Sequence, residues 1–468
     1  MIHTASVRIL ALVGIGSICC VMATGCMPSG DGPLSDAAVG GQYITWIERI
    51  VDDSHAGRFV GADGFAMADL DGDGLEDIAS VHEDTSCVRL HFAFPSAGAF
   101  ESVTLACGPD YTSQVEDVAL GDLDGDGTTD AVTANEAGYL AVFGNPGEDC
   151  RQGPAWRRSR ITASEGTGSW IRVDLADVDG DGRLDVLGAN KGGTDFCWFR
   201  SQADPFDGER WERFVIGTTT GEPINVRAHD VDGDGDPDVL AGSRKDETWV
   251  SWFENPRDAS SPNGPMVNWT RHPVTHISDG FNIVLADLSG DGRQDVCLAL
   301  AGGRVGWAEG PPPAEIHRAE GWDVHAIGCI APDAPTGLGV ADINGDGRVD
   351  VIVGGYSDGP REFDGPCVNI AADALGRLAW FEQGSDPRAV WVRHDLSRRI
   401  RGMFDHFEAR DLNGDGRVDW LYTRGNSGTL DGVFWLEQRR SADPASALVR
   451  ARLFDSAEVS IPHCEVER

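Results

Sequence analysis

Apolar residues in this chain come in short runs, each placed in a fixed relation to one polar phrase. A lead-in run such as Ile224-Asn-Val-Arg-Ala-His229 or Phe281-Asn-Ile-Val-Leu-Ala286 reaches the phrase. A short apolar run leaves it, as in Asp77-Ile-Ala-Ser-Val81, and in Asp238-Val-Leu-Ala-Gly242 and Asp350-Val-Ile-Val-Gly-Gly355 it is closed by glycine. A third run is aromatic: Phe196-Cys-Trp-Phe199, Trp249-Val-Ser-Trp-Phe-Glu254, Gly303-Arg-Val-Gly-Trp307, Leu378-Ala-Trp-Phe-Glu382 and Gly432-Val-Phe-Trp-Leu436. A fourth often starts on Trp, as in Trp211-Glu-Arg-Phe-Val-Ile216, Trp269-Thr-Arg-His-Pro-Val274 and Trp391-Val-Arg-His-Asp-Leu396. Runs of this length and composition predict strands, and no helical period is sustained long enough to compete.

The polar phrase is Asp-x-(Asp/Asn/Ser)-Gly-Asp-Gly-x-x-Asp. It occurs seven times, at Asp69–Asp77, Asp122–Asp130, Asp177–Asp185, Asp230–Asp238, Asp287–Asp295, Asp342–Asp350 and Asp411–Asp419. Successive copies start 53, 55, 53, 57, 55 and 69 residues apart. A fixed period of this size means one supersecondary unit used repeatedly. Four antiparallel strands per unit, seven times over, predict an all-β, seven-bladed β-propeller, whose radial closure protects the sheet edges.

Oxygen-bearing side chains at positions 1, 3, 5 and 9, with the backbone carbonyl of position 7, can converge on one hard cation. Five such donors approach the six to eight oxygens that calcium accepts at about 2.3–2.6 Å, whereas magnesium demands a tighter octahedron. No His or Cys stands at a ligand position, which argues against zinc or copper in the phrase. The expected ligands are Asp69, Asp71, Asp73, Leu75 and Asp77; Asp122, Asp124, Asp126, Thr128 and Asp130; and Asp177, Asp179, Asp181, Arg183 and Asp185. The later copies supply Asp230, Asp232, Asp234, Asp236 and Asp238; Asp287, Ser289, Asp291, Arg293 and Asp295; Asp342, Asn344, Asp346, Arg348 and Asp350; and Asp411, Asn413, Asp415, Arg417 and Asp419. Ser289, Asn344 and Asn413 each replace a carboxylate, so weaker affinity is expected in the last three copies. An EF-hand is excluded: its twelfth position should be Glu, but Ser80, Thr133, Gly188, Ala241, Leu298, Val353 and Tyr422 stand there.

These phrases and their flanking strands resemble the FG-GAP/VCBS repeats, the calcium-binding propeller repeats of integrin alpha-subunit heads. The resemblance covers roughly residues 43–454. It implies a calcium loop joining strands one and two of each blade on a lower face, up to seven structural Ca2+ ions, and partner-binding loops on the opposite, upper face. Two segments compete to clip the ring shut, Tyr43-Ile-Thr-Trp-Ile-Glu-Arg-Ile-Val51 and Ala447-Leu-Val-Arg-Ala-Arg-Leu-Phe454.

The formal charge is −38, much of it on the repeated aspartates, and this balance argues against nucleic acid as a partner. Residues 1–25 read as a signal peptide. His3 and Arg8 precede an apolar run, Ile9 to Ala23, too short and wrongly flanked for a membrane span. Ala23-Thr24-Gly25-Cys26 resembles a bacterial lipobox, so lipidation at Cys26 is expected; cleavage after a small-x-small triplet is the alternative. Met27 after that cysteine implies outer-membrane sorting in a Gram-negative cell. Residues 26–42 then form a flexible tether and 43–468 the propeller, exported, anchored by lipid alone and monomeric. Of eleven cysteines, Cys87 and Cys107 flank one predicted hairpin and are the first expected disulfide, while Cys197 and Cys297 read as buried thiols.

Two long connections mark a candidate ligand face, Gly355 to Gly376 with Arg361, and Arg318 to Gly337 with Trp322, His325 and Cys329. Basic residues recur on the same predicted face, among them Lys191, Arg244, Lys245, Arg361, Arg398, Arg399, Arg401 and Arg424. Arginine forks beside aromatics suit carboxylate or sulfate groups. The leading expectation is a binding or scaffold module, with acidic polysaccharide held by Arg244, Lys245, Trp322, His325, Arg361, Arg401 and Arg424. A carbohydrate-active enzyme of the lyase or dehydratase type is the alternative, with His229, His325, His406 and Glu408 as acid–base candidates. No Gly-x-Ser-x-Gly or His-Glu-x-x-His phrase supports it. A third reading is an integrin-like protein–protein adhesion module.

Overall fold

Strand two of every blade is buried on both faces, from Asp77–His82 in blade one to Asp419–Gly425 in blade seven. A strand covered twice cannot alternate, which is why these runs are almost continuously apolar. In a computed structural model the protein is described over residues 36–37, 41–53, 59–94, 99–256, 268–318, 320–331, 333–356, 378–397, 403–425, 431–442 and 449–452. The expected signal peptide, Cys26, most of the tether, Arg361, Arg398, Arg399 and Arg401 lie outside these residues. Among the described residues the helical pieces are short 3-10 turns, and no helix is long and apolar enough to cross a membrane.

Seven antiparallel sheets form the ring. Their first strands are Ala62–Ala68, Val115–Gly121, Trp170–Ala176, Glu222–His229, Ser278–Ala286, Ala334–Ala341 and Met403–Arg410. Blades one to six each supply their own four strands in order. Blade seven takes its fourth strand from the other end of the chain: Tyr43–Asp53 pairs antiparallel with Gly432–Ser441. Val449–Arg452 adds in parallel outside that strand, so both competing terminal segments join the sheet and the N-terminal one clips the ring. The expected tether is partly ordered, since Asp36–Ala37 pairs with Tyr43 and Ile44.

The clip carries a buried ion pair. Glu48 and Arg424 have side chains 1% and 0% exposed, with Arg424 Nη1 donating to Glu48 Oε2 at 3.0 Å. Tyr422 donates its hydroxyl to the same oxygen at 2.5 Å.

Each strand one–two pair is interrupted by a register shift, for example at Val115/Asp117, Trp170/Arg172 and Phe404/Phe407. Bulges re-aim side chains, and here polar residues of the innermost strands meet at the axis. Arg172 of blade three donates to Asp405 of blade seven at 2.9 Å, with both side chains nearly inaccessible. Asn282 of blade five donates to the Asp405 carbonyl at 2.9 Å. The axis is thus bolted by side chains from three blades.

Strand three supplies the wedge between blades. Trp198, Trp252, Trp307, Trp380 and Trp435 are all 0–1% exposed. A strand-four side chain lies over each: Phe214 on Trp198, His272 on Trp252, His325 on Trp307 and His394 on Trp380, at 4.3–4.7 Å between centroids, with Arg49 above Trp435. Four blades add an amide staple to the preceding blade's loop, from the residue whose backbone amide donates to the position-nine aspartate. Asn145 donates to the Leu70 carbonyl, Asn255 to Val178, Gln383 to Leu288 and Gln438 to Ile343, at 2.8–3.0 Å. Ala93, Ser201 and Gly310 hold that position in blades one, three and five, and none has an amide side chain.

Candidate metal loops and the opposite face

Each loop is organised by its own carboxylates. In the first, Asp69 accepts from the backbone amides of Gly72 and Gly74 at 2.8 and 2.9 Å, Asp71 from Asp73 at 3.2 Å, and Asp73 from Leu75 at 2.9 Å. Asp77 is fully buried and accepts from the Leu70 and Ala93 amides at 2.9 and 2.8 Å. Position nine therefore ties the loop to strand three as well as facing the loop interior. Gly72 and Gly74 take φ of +75° and +88°, and the equivalent glycines of the other six loops are also left-handed. A Cβ at either would meet nothing within 4 Å, so backbone conformation, not space, demands glycine.

Side-chain oxygens from positions one, three and nine lie within 4.8 Å of one another in Asp69/Asp71/Asp77, Asp122/Asp124/Asp130 and Asp177/Asp179/Asp185. Asp177 Oδ1 is buried without a hydrogen-bond partner. Burial, reinforced by neighbouring loop aspartates, pushes Asp77 up to about 6, Asp130 to about 7 and Asp185 to about 8. A converging, desolvated, all-oxygen donor set fits a hard divalent cation, which would remove the repulsion that the carboxylates otherwise impose. Position five behaves differently where position seven is Arg: Arg183, Arg293, Arg348 and Arg417 fold back onto Asp181, Asp291, Asp346 and Asp415.

The opposite face departs from expectation in three ways. First, the connection Arg318–Gly337 is largely strand: Asp323–Cys329 is strand four of blade five, and Ala334–Ala341 begins blade six. Trp322 is a buried wedge, 7% exposed, and His325 bonds Glu309 across strands three and four at 3.0 Å. The spacing Trp322-x-x-His325 repeats Trp269-x-x-His272 and Trp391-x-x-His394, so the sequence held the signal. Second, the expected cations that fall among the described residues are engaged. Arg244 and Lys245 both hold Glu222, Lys191 holds Glu136, and Arg424 is inside the clip. Third, carboxylates crowd the mouth instead: Glu83, Glu116 and Glu136 bring oxygens within 4.8 Å of one another. Burial, then Glu83 and Glu136, raises Glu116 well above the usual carboxylate range.

The acid–base candidates do not form one constellation. His325 is on an outermost strand, while His229, His406 and Glu408 are on innermost strands of blades four and seven. His406 meets Glu408 at 3.4 Å and packs edge-on against Phe65. Cys87 and Cys107 form a disulfide across strands three and four of blade one, Cys329 is also disulfide-bonded, and Cys197 and Cys297 are buried free thiols.

The FG-GAP-like repeat profile matches residues 69–133, 122–188, 177–241 and 230–298. Each match runs from one loop through strand two of the next blade, so the chain carries FG-GAP-like repeats through blades one to five. No curated protein sequence matches the chain. Solved structures of similar shape include BBS1N in complex with ARL6DN, soaked with lead, at 9% identity and TM-score 0.46, covering 86% of this chain and 98% of that one. Another is YCF48 bound to D1 peptide, at 12% identity and TM-score 0.47, covering 84% and 94%. No functional property of this chain follows from these two likenesses.

Proposed function

We propose that this propeller of FG-GAP-like repeats is an exported, calcium-stabilised binding or scaffold module, lipid-anchored through Cys26 and offering its upper face to an extracellular partner. The observation that carries the reading is the convergence of oxygens at positions one, three and nine in loops whose amides are already committed to holding them. The Cys87–Cys107 disulfide supports an oxidising compartment, where calcium is plentiful. Seven ions would act as structural clamps rather than as reaction centres, since each loop sits between strands one and two with its position-nine aspartate tied into strand three.

Among ligands, a protein segment or an uncharged glycan fits better than acidic polysaccharide. Arg244 and Lys245 are tied to the shared Glu222, Lys191 is paired with Glu136, and Glu83 and Glu116 add further carboxylates beside that pair. A carbohydrate-active enzyme is less favoured because His325 stands apart from His406 and Glu408. The calcium reading is tested by thermal unfolding with chelator. Each site held at 100 times its Kd adds about 2.7 kcal/mol, so chelation should lower the midpoint strongly, and calcium should restore it where magnesium does not. An unchanged midpoint overturns the reading. Retention on neutral against acidic glycans, read alongside newly formed reducing or unsaturated ends, separates binding from turnover.

A further inference from the structure

The strand-four histidines expose a difference between blades that the repeat itself controls for. Strand three of blades four to seven ends or passes through a glutamate, Glu254, Glu309, Glu382 and Glu437, and each engages the strand-four residue beside it. A further side chain then reaches the same glutamate. In blade five it is Arg388, from the next blade's strand three–four connection, donating to Glu309 at 2.9 Å. In blades six and seven it is the position-three asparagine of the loop, Asn344 at 3.0 Å and Asn413 at 3.3 Å. Each of these donors makes an ordinary ion pair or hydrogen bond.

Blade four alone among these puts a second imidazole there. His317, from the corresponding connection of blade five, brings Nε2 to 3.6 Å from Glu254 Oε2, and His272 Nε2 lies 2.8 Å from the same oxygen. The ligand atoms of Glu254, His272 and His317 all lie within 4.8 Å of one another. Asp232 Oδ2 of loop four stands 3.7 Å from His317 Nε2. The two rings meet edge to face at 4.7 Å, and both lie against buried Trp252, which holds His272 in a stacked pose.

We propose that His272, His317 and Glu254 form a binding site for a zinc-class divalent cation at the seam between blades four and five. Two imidazoles and a carboxylate are a preferred donor set for such an ion. At metal–ligand distances near 2.0–2.1 Å, tetrahedral donors sit about 3.3 Å apart, and the two imidazole–carboxylate separations of 2.8 and 3.6 Å bracket that edge. Asp232 or a water completes the shell. This site is chemically distinct from the all-oxygen loops. It sits at a seam where Gly310 cannot supply the amide staple, so a bound ion would join strands three and four of blade four to the connection of blade five. Where Asp232, which also belongs to loop four, completes the shell, occupancy of the two sites is coupled.

The test uses untagged protein saturated with millimolar calcium, titrated with Zn2+ by calorimetry and with Co2+ by visible absorption. One saturable zinc per chain and the strong visible bands of tetrahedral Co2+ are expected. His317→Ala should weaken zinc binding by more than about 100-fold, beyond the 10–100-fold typical of changes to residues that only support a ligand. His317 is 48% exposed on a surface connection, so this variant should fold as the parent does. His325→Ala, the counterpart of His272 in blade five, should leave zinc affinity unchanged. Absence of saturable zinc binding, or equal affinity in parent and His317→Ala, overturns the proposal.

Discussion

Replacing Glu48 by Ala should unfasten the ring. Its carboxylate is the counter-charge for Arg424 and the acceptor for Tyr422, and both ionic side chains are removed from solvent. Deleting one member of a buried pair strands the other charge, which costs about 3–5 kcal/mol. The lost acceptor of the Tyr422 hydroxyl contributes about 1 kcal/mol within that range. Asp431 also acts favourably on Arg424, which places the expected loss near the lower end, about 3 kcal/mol. Against a typical total of about 5–15 kcal/mol, such a loss is readily seen in urea unfolding in millimolar calcium. The double variant Glu48→Ala/Arg424→Met removes the stranded charge and should recover most of the stability, because apolar replacement of a buried pair is often neutral. A loss below about 1 kcal/mol for Glu48→Ala, or simple additivity in the double variant, would refute the reasoning.

The acidic mouth should give the protein a pH signature. Burial and neighbouring carboxylates raise Glu116, so the folded state holds a proton that the unfolded chain releases above about 4.5. This contribution is complete below the unfolded value and is lost as pH rises through the folded one. Glu116→Gln should flatten that decline and raise the unfolding midpoint at neutral pH; an unchanged pH slope counts against it. The Cys87–Cys107 bridge spans 20 residues and should contribute about 2–4 kcal/mol. The Cys87→Ala/Cys107→Ala variant, which leaves the Cys329 bridge intact, should lower the calorimetric midpoint, and an unmoved midpoint would exclude a stabilising role.

Much of the architecture was legible because one phrase fixes both a turn and the strands beside it, seven times over. The choice of closing strand was left open between two segments and came from the structure, although the sequence holds a signal for it. Trp46-Ile-Glu-Arg49 has the spacing of Trp211-Glu-Arg-Phe214 and Trp269-Thr-Arg-His272, in which a tryptophan starts strand four and the third residue on covers the strand-three tryptophan. The same spacing at Trp322 and His325 marks strand rather than ligand loop. What sequence could not reveal was partnership across the ring. Arg424 meets Glu48, 376 residues away, and Arg172 meets Asp405 across the axis. A basic residue therefore looks available in sequence when the fold has already assigned its carboxylate.

The amide staples divide the circle unequally. They fasten blade two to one, four to three, six to five and seven to six, but Ala93, Ser201 and Gly310 leave three seams without them. In a repeat array, cooperativity depends on the strength of each nearest-neighbour interface. By this staple alone the blades fall into two pairs and a triplet, and if the staples set the seam strengths, amide exchange should group residues by those blocks before it groups them by blade.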